Sequence, residues 1–453
     1  MNKFKYVITI IISIIFLFII INKTKASIAL SFVTLMLPLY WILSKKINVK
    51  SFLLIFFIIY PILPSLAGIN LGAGVPVLRA HRIAAALLLL FLISNSLFFK
   101  VFVDFFKSNI FTFNIVIFIF SMFMTAFFSY DSQATLFYCL SIIFEMLIYT
   151  VVIFFVFKTD YEIEQLINSL LISCSILCIF GLFEKISGYN FYWAFGVYND
   201  QLSGALIHQI RDGGVRIIGP FEHSISYAAY IVLILPLFLY KFRNNFKTFN
   251  LFVLLVMSAI IASQSRSGIL GAGIIFFLYS IFVERKNLIL IFILAIPIII
   301  YNAGDIVQYL LNINPFTTTS TEIADSSSAR MEQIIFMMQL IKKNFAFGFG
   351  NVSANVRSVD NFYLSYFFQF GIIGLVSYLG LLLITIIKPL RIYGSNVFKD
   401  QLMIVLLISI IVFCVINSIV TLLSYHFIFY VYIGIISRKL FNKINLNNET
   451  ELN

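Results

Sequence analysis

The chain has 453 residues, of which 61% are hydrophobic and only 11% charged, with 53 phenylalanines and a mean hydropathy of +1.02. That composition excludes a water-soluble globular domain, because repeated apolar stretches of about 17 residues or more with few charges are membrane helices. The formal net charge of +12 would point to nucleic acid in a soluble chain. Here it is read as cytoplasmic anchoring lysines, with no nucleic-acid partner.

Taken in order, apolar runs lie near 6–22, 26–43, 51–67, 83–99, 110–128, 134–157, 165–184, 224–240, 249–264, 267–283, 288–302, 362–387, 402–418 and 420–437. They predict an all-α, polytopic integral membrane protein of about 12–14 transmembrane helices, the last two runs forming either separate spans or one re-entrant hairpin. The first run follows Lys3 and Lys5. It is expected to remain an uncleaved helix, because Thr24-Lys25-Ala26 is a poor cleavage site and many spans follow. An N-terminus on the inside places Lys45, Lys46, Lys241, Arg243, Lys388, Arg391, Arg438 and Lys439 in cytoplasmic loops, as the positive-inside rule requires. The C-terminus is then cytoplasmic too. The organisation expected is N-terminal helices over 1–184, a first extracytoplasmic loop over 185–223, central helices over 224–302, a large loop over 303–361, and C-terminal helices with a tail over 362–453. Cys139, Cys174, Cys178 and Cys414 all sit in apolar runs and are read as packing residues.

The polar exceptions carry the functional signal. Arg211-Asp-Gly-Gly-Val-Arg-Ile-Ile-Gly-Pro-Phe-Glu-His223 crowds charge, Gly and Pro into a loop that re-enters a span. Charged, irregular backbone is tolerated at a membrane only where protein or a water-filled cavity surrounds it. Ser263-Gln-Ser-Arg-Ser-Gly268 joins two spans with almost no loop. Its Arg266 is either a snorkelling residue at a tight turn or an anion ligand at the outer face. Glu145, mid-span, is left without a role. In the large loop, residues from Arg330 to Asn344 carry Ile334, Ile335, Met338 and Ile341 between charges, the spacing of an amphipathic helix on the outer surface.

Three external elements thus offer arginine: Arg211 and Arg216, Arg266, and Arg330. The guanidinium fork donates two parallel hydrogen bonds and keeps its charge, which suits phosphate. No His/Cys/Asp cluster on these loops has metal-ligand spacing, so arginine rather than a metal would neutralise a diphosphate, and no cofactor is expected. The lack of a Gly-rich phosphate loop argues against ATP. Group transfer also needs a base, for which Glu222, His223 and Asp360 are the candidates, at the mouth of an apolar bundle. Asp360 is equally readable as an ordinary helix N-cap.

In this order, Arg216-Ile-Ile-Gly-Pro-Phe-Glu-His223, Ser265-Arg-Ser-Gly268, Arg330 before a surface helix, Gly348-Phe-Gly350, Asp360-Asn-Phe-Tyr-Leu364 and Gly371-Ile-Ile-Gly-Leu375 resemble the bacterial O-antigen ligase/polymerase superfamily over roughly 210–376. The resemblance implies a metal-independent glycosyltransferase of the bacterial inner membrane, acting on its outer face. Its donor would be an undecaprenyl-diphosphate-linked oligosaccharide and its acceptor a growing glycan. A chain-length regulator and a flippase of the same pathway would be its partners. Arg216 and Arg266 would hold the diphosphate with Arg211 beside them, Arg330 would lie near donor or acceptor, and Asn361 would position substrate. The ligase branch shows His-Asn where this chain has Asp360-Asn361. That difference favours a repeat-unit polymerase over a ligase, and the concentration of charge in external loops disfavours the third reading, a flippase of lipid-linked oligosaccharide.

Overall fold

A computed structural model describes residues 49–63, 68–69, 78–79, 98–109, 111–129, 131–190, 210–211, 214–283, 334–350, 361–419 and 426–452. The apolar runs near 6–22, 26–43 and 288–302, and nearly all of 83–99, lie outside these residues. So do Arg330, Asp360 and the side chain of Arg211.

The described chain is helical. Its helices are α1 (Val49–Ile59), α2 (Phe98–Ser108), α3 (Thr112–Phe128), α4 (Ser132–Val156), α5 (Asp160–Ser187), α6 (Ser224–Phe242), α7 (Phe246–Ala262), α8 (Arg266–Phe282), α9 (Phe362–Tyr393), α10 (Gln401–Ile419) and α11 (His426–Leu452). Two two-residue antiparallel ladders interrupt them: β1 (Gly68–Ile69) with β2 (Leu78–Arg79), and β3 (Ile210–Arg211) with β4 (Gly214–Val215). Among the described residues five helices, α4, α5, α6, α9 and α10, are long and apolar enough to cross a membrane. The last two apolar runs are separate helices, α10 and α11.

The helix ends follow from local sequence. Thr159 and Glu162 close a capping box at the start of α5, which stops at Gly188 in the left-handed conformation (φ 67°). Asp131 caps α4 by accepting the Ala134 N–H at 2.9 Å.

Packing separates a buried centre from an apolar rim. Along α6 every residue from Ser224 to Leu239 except Ile225 is buried, and α10 is nearly as enclosed. On the outer helices Phe113, Phe120, Phe127, Leu251, Leu254 and Phe277 are each more than 60% exposed. A water-soluble chain could not leave so much apolar surface uncovered, whereas lipid is its natural solvent. Tyrosine hydroxyls stitch the helices together by donating to carbonyls of neighbours: Tyr227 to Leu177 (3.1 Å), Tyr279 to Leu239 (3.1 Å), Tyr432 to Leu233 (2.7 Å) and Tyr363 to Cys414 (2.9 Å). Such interhelical bonds contribute about 0.6 kcal/mol each in a membrane.

Helix α9 is broken. Gly371 sits at φ 65°, ψ −172°, about 13 Å along the helix from its start at the usual rise of 1.5 Å per residue. The backbone groups freed there pair with the segment Phe345–Gly350. Phe349 N–H donates to the Phe368 carbonyl (2.9 Å), Gly350 N–H to Gln369 (2.8 Å), Ile372 N–H to Phe345 (2.9 Å) and Ile373 N–H to Ala346 (3.3 Å). The approach demands glycine: a Cβ on Gly371 would lie 2.2 Å from the Ala346 oxygen, and one on Gly348 would lie 2.5 Å from the Gln369 oxygen. Just before this segment, residues 334–341 are helical as expected. Met337 and Ile341 pack on Phe368, while Ile334, Ile335 and Met338 face outward. The inward face is set by the broken helix that this segment supports, which periodicity alone does not encode.

Candidate functional site

The starts of α6, α8 and α9 and the end of α10 lie together at one end of the bundle. Helix α8 approaches α6 closely because Gly268 and Gly271 lack side chains, a Cβ at these positions falling 2.7 Å from Ala228 Cβ and 2.9 Å from Val232 Cγ1. The same Gly271 position faces Val412 and Ile416 of α10. Asn361 ties α9 to that end of α10: its Nδ2 donates to the Ser418 carbonyl at 2.7 Å while its Oδ1 caps α9 by accepting the Leu364 N–H at 3.0 Å. Asn361, not Asp360, is therefore the N-cap, so the reading of Asp360 as an ordinary cap is corrected. Both ends of the Asn361 carboxamide hold helices in place.

The expected arginine loop and the tight corner meet directly. Arg216 is buried, and its Nε and Nη2 donate to the main-chain carbonyls of Ser263 and Gln264, each at 3.3 Å. Those residues form the turn between α7 and α8. Gln264 takes a positive φ of 52°, and Ser265 caps α8 by accepting the Gly268 N–H at 3.2 Å. Arg266 follows as the first residue of α8, and its side chain is exposed. One arginine thus braces the turn that presents the other.

The loop carrying Arg216 is held from below by residues that sequence reading passed over. Glu184, in the last turn of α5, is 4% exposed. Its Oε2 accepts from the Gly219 N–H (2.9 Å), and its Oε1 from the Ile218 N–H (3.2 Å) and from Asn190 Nδ2 (2.9 Å). Asn190 Nδ2 also reaches the Gly219 carbonyl (3.1 Å), and Lys185 Nζ donates to the Val215 carbonyl (2.6 Å). A carboxylate at a helix C-terminus opposes the helix dipole, and that mismatch was the available signal. Gly219 adopts φ 58°, and Phe221 packs on Tyr227 and Tyr230.

Of the proposed bases, His223 caps α6: its Nδ1 accepts the Ile225 N–H at 3.2 Å. That engages the Nδ1 lone pair, and the neutral ring then carries its proton on Nε2. Glu222, next to it, is half-buried. Glu145 is half-buried on α4, away from these loops in sequence. The four cysteines are free thiols, with Cys139, Cys174 and Cys178 buried. His426 is buried against Phe362 and Phe413, with Nε2 3.2 Å from Asn417 Oδ1.

Residues 250–379, from α7 through the Ser263–Gly268 corner to the break in α9, match a family model described as O-antigen ligase. Over these residues the chain is similar to that family, in line with the expected resemblance to the O-antigen ligase/polymerase superfamily. No curated protein matches the chain. The matched segment includes Arg266, Gly348, Gly350, Asn361 and Gly371 but begins after Arg216, Glu222 and His223. The hydrogen bonds from Arg216 to Ser263 and Gln264 join that earlier loop to it.

Proposed function

We propose that the protein is a membrane glycosyltransferase that polymerises lipid-diphosphate-linked oligosaccharide repeat units into a surface polysaccharide, at the extracytoplasmic face of a bacterial inner membrane. The observation that carries this reading is the meeting of Arg216, Arg266 and the starts of three helices at one end of the bundle. Helix N-termini present N–H groups and a positive pole, and with the exposed Arg266 guanidinium they suit a diphosphate. Arg266 contacts the diphosphate, Arg216 fixes the turn behind it, and Arg211 and Arg330 add charge from their loops.

The reaction is an inverting displacement. The acceptor hydroxyl oxygen attacks the anomeric carbon of the donor, the bond from that carbon to the phosphate oxygen breaks, and the lipid diphosphate leaves with the electron pair. The hydroxyl proton passes to a carboxylate, Asp360 or Glu222. His223 could accept it on Nδ1 only by releasing the cap of α6, which ranks it third. Stabilising the departing diphosphate by groups fixed before the reaction lowers the barrier without reorganisation. Asn361 acts as a positioning residue by holding α9 to α10.

The description of the matching family, O-antigen ligase, favours a second reading, a ligase that moves finished polymer onto lipid A core or another acceptor. Envelope glycans from a strain lacking the gene separate the two. Single repeat units on the final acceptor, with the ladder gone, mean polymerase, whereas polymer retained on its lipid carrier means ligase. An unaltered glycan profile would overturn both.

A further inference from the structure

At the opposite end of the bundle, where α5 and α10 begin and α6 and α9 end, a polar cleft of about 810 Å³ opens. Its acids are already matched. Lys241 Nζ lies 2.6 Å from Glu164 Oε2, and Lys439 Nζ lies 2.9 Å from Asp400 Oδ2 and 3.7 Å from Asp160 Oδ1. Three further cations line the cleft, Arg243, Lys399 and Lys443, and among the described residues none of them has an acidic partner. Arg243 is held in place by its stack over the Tyr240 ring, 5.1 Å from the centroid, yet its buried Nη1 has no hydrogen-bond partner. Gln401 Oε1, also buried and also on the cleft, has none either.

A buried guanidinium nitrogen without an acceptor is costly unless a ligand supplies one. A cleft where five cations (Lys241, Arg243, Lys399, Lys439 and Lys443) meet three acids (Asp160, Glu164 and Asp400), with a fixed arginine fork and a nearby acceptor oxygen, is complementary to a phosphate ester bearing hydroxyl groups. We propose that this cleft binds such a phosphate ester, with Arg243 gripping the phosphate, Lys399 and Lys443 adding charge, and Gln401 accepting from a hydroxyl. Basic pockets between membrane helices take lipid headgroups by this chemistry, and a soluble phosphate ester would use the same atoms. The site is separate from the arginine corner and does not depend on the function proposed for it.

The test is native mass spectrometry of the full-length chain titrated with phosphatidylglycerol, with phosphatidylcholine, and with glycerol 3-phosphate. The variants are Arg243→Gln and the double Lys399→Gln/Lys443→Gln, whose lysines are exposed or half-buried and so leave folding intact. Saturable phosphatidylglycerol binding that both variants weaken by about tenfold or more supports the site with a lipid source. The same loss seen with glycerol 3-phosphate alone supports it with a soluble source. Variants that bind either probe as the unmodified chain does, or phosphatidylcholine binding as tight as phosphatidylglycerol, would overturn the proposal. If Arg243→Gln unfolds, the double variant decides.

Discussion

Replacing Glu184 by glutamine changes one atom at the base of the arginine loop. The carboxylate accepts three hydrogen bonds, from the N–H groups of Ile218 and Gly219 and from Asn190 Nδ2. A glutamine keeps one acceptor oxygen and brings an NH2 group to the other side. Its better orientation retains Ile218 and Asn190 and turns a donor toward the Gly219 N–H. That removes a bond to a buried acceptor and leaves two donors facing each other, for a cost of about 3 kcal/mol. Since about 1.4 kcal/mol is a factor of ten, the Ile218 and Gly219 amides should exchange with deuterium about 100-fold faster when opening is local. Hydrogen–deuterium exchange of a peptide covering 214–223, in detergent, measures it. Glycan synthesis should fall with it, although Glu184 touches no substrate in the mechanism proposed. Unchanged exchange in Glu184→Gln, with Glu184→Ala also unchanged, would refute the assignment of Glu184 as the anchor of this loop.

Arg266→Ala should leave protein levels intact, since the side chain is exposed, and lower glycan synthesis by about 100-fold, as loss of one preorganised donor does. Unchanged synthesis at normal membrane levels removes Arg266 from the site. Gly371→Ala forces a Cβ to within 2.2 Å of the Ala346 oxygen at φ 65°. It should lower stability by about 3 kcal/mol or more, from backbone strain plus lost pairing, read by denaturant unfolding in detergent. Gly268→Ala puts two Cβ atoms 2.7 Å apart across the α6–α8 contact and should cost about 1–3 kcal/mol. Ala228→Gly in the same chain should restore most of it, and failure to do so would show the contact is not the cause.

Hydropathy made the spans legible, because any charge inside them is expensive. Ser132–Val156 and Gln401–Ile419 lie within two or three residues of the expected runs 134–157 and 402–418. Charge in an apolar chain also marked Arg216 and Arg266, and the structure brings their loops together. What stayed hidden needed contacts between distant segments. Gly371-Ile-Ile-Gly-Leu375 is compatible with an unbroken helix, and only Phe345–Gly350, more than twenty positions upstream, reveals the break. Glu184 reads as a polar end to a span until Ile218 and Gly219 are seen against it. The choice of Met337 over Ile334 as the inward residue depends on where Phe368 stands, and that follows from the same break. The short α2 was hidden for another reason: its Lys100, Asp104 and Lys107 interrupt the hydropathy that marks a span.

The broken helix also bears on how the protein is made. A transmembrane helix that satisfies its own backbone can leave the insertion machinery as a finished unit and find its neighbours later. Helix α9 cannot, because four hydrogen bonds at its break belong to Phe345–Gly350. Ribosomes release that segment first, so it must wait, unpaired, until residues 368–373 have followed. Insertion and tertiary assembly are thus one event for this part of the chain, and substitutions at Gly348 or Gly371 should appear in cells as rapid degradation during biogenesis before any catalytic defect can be seen.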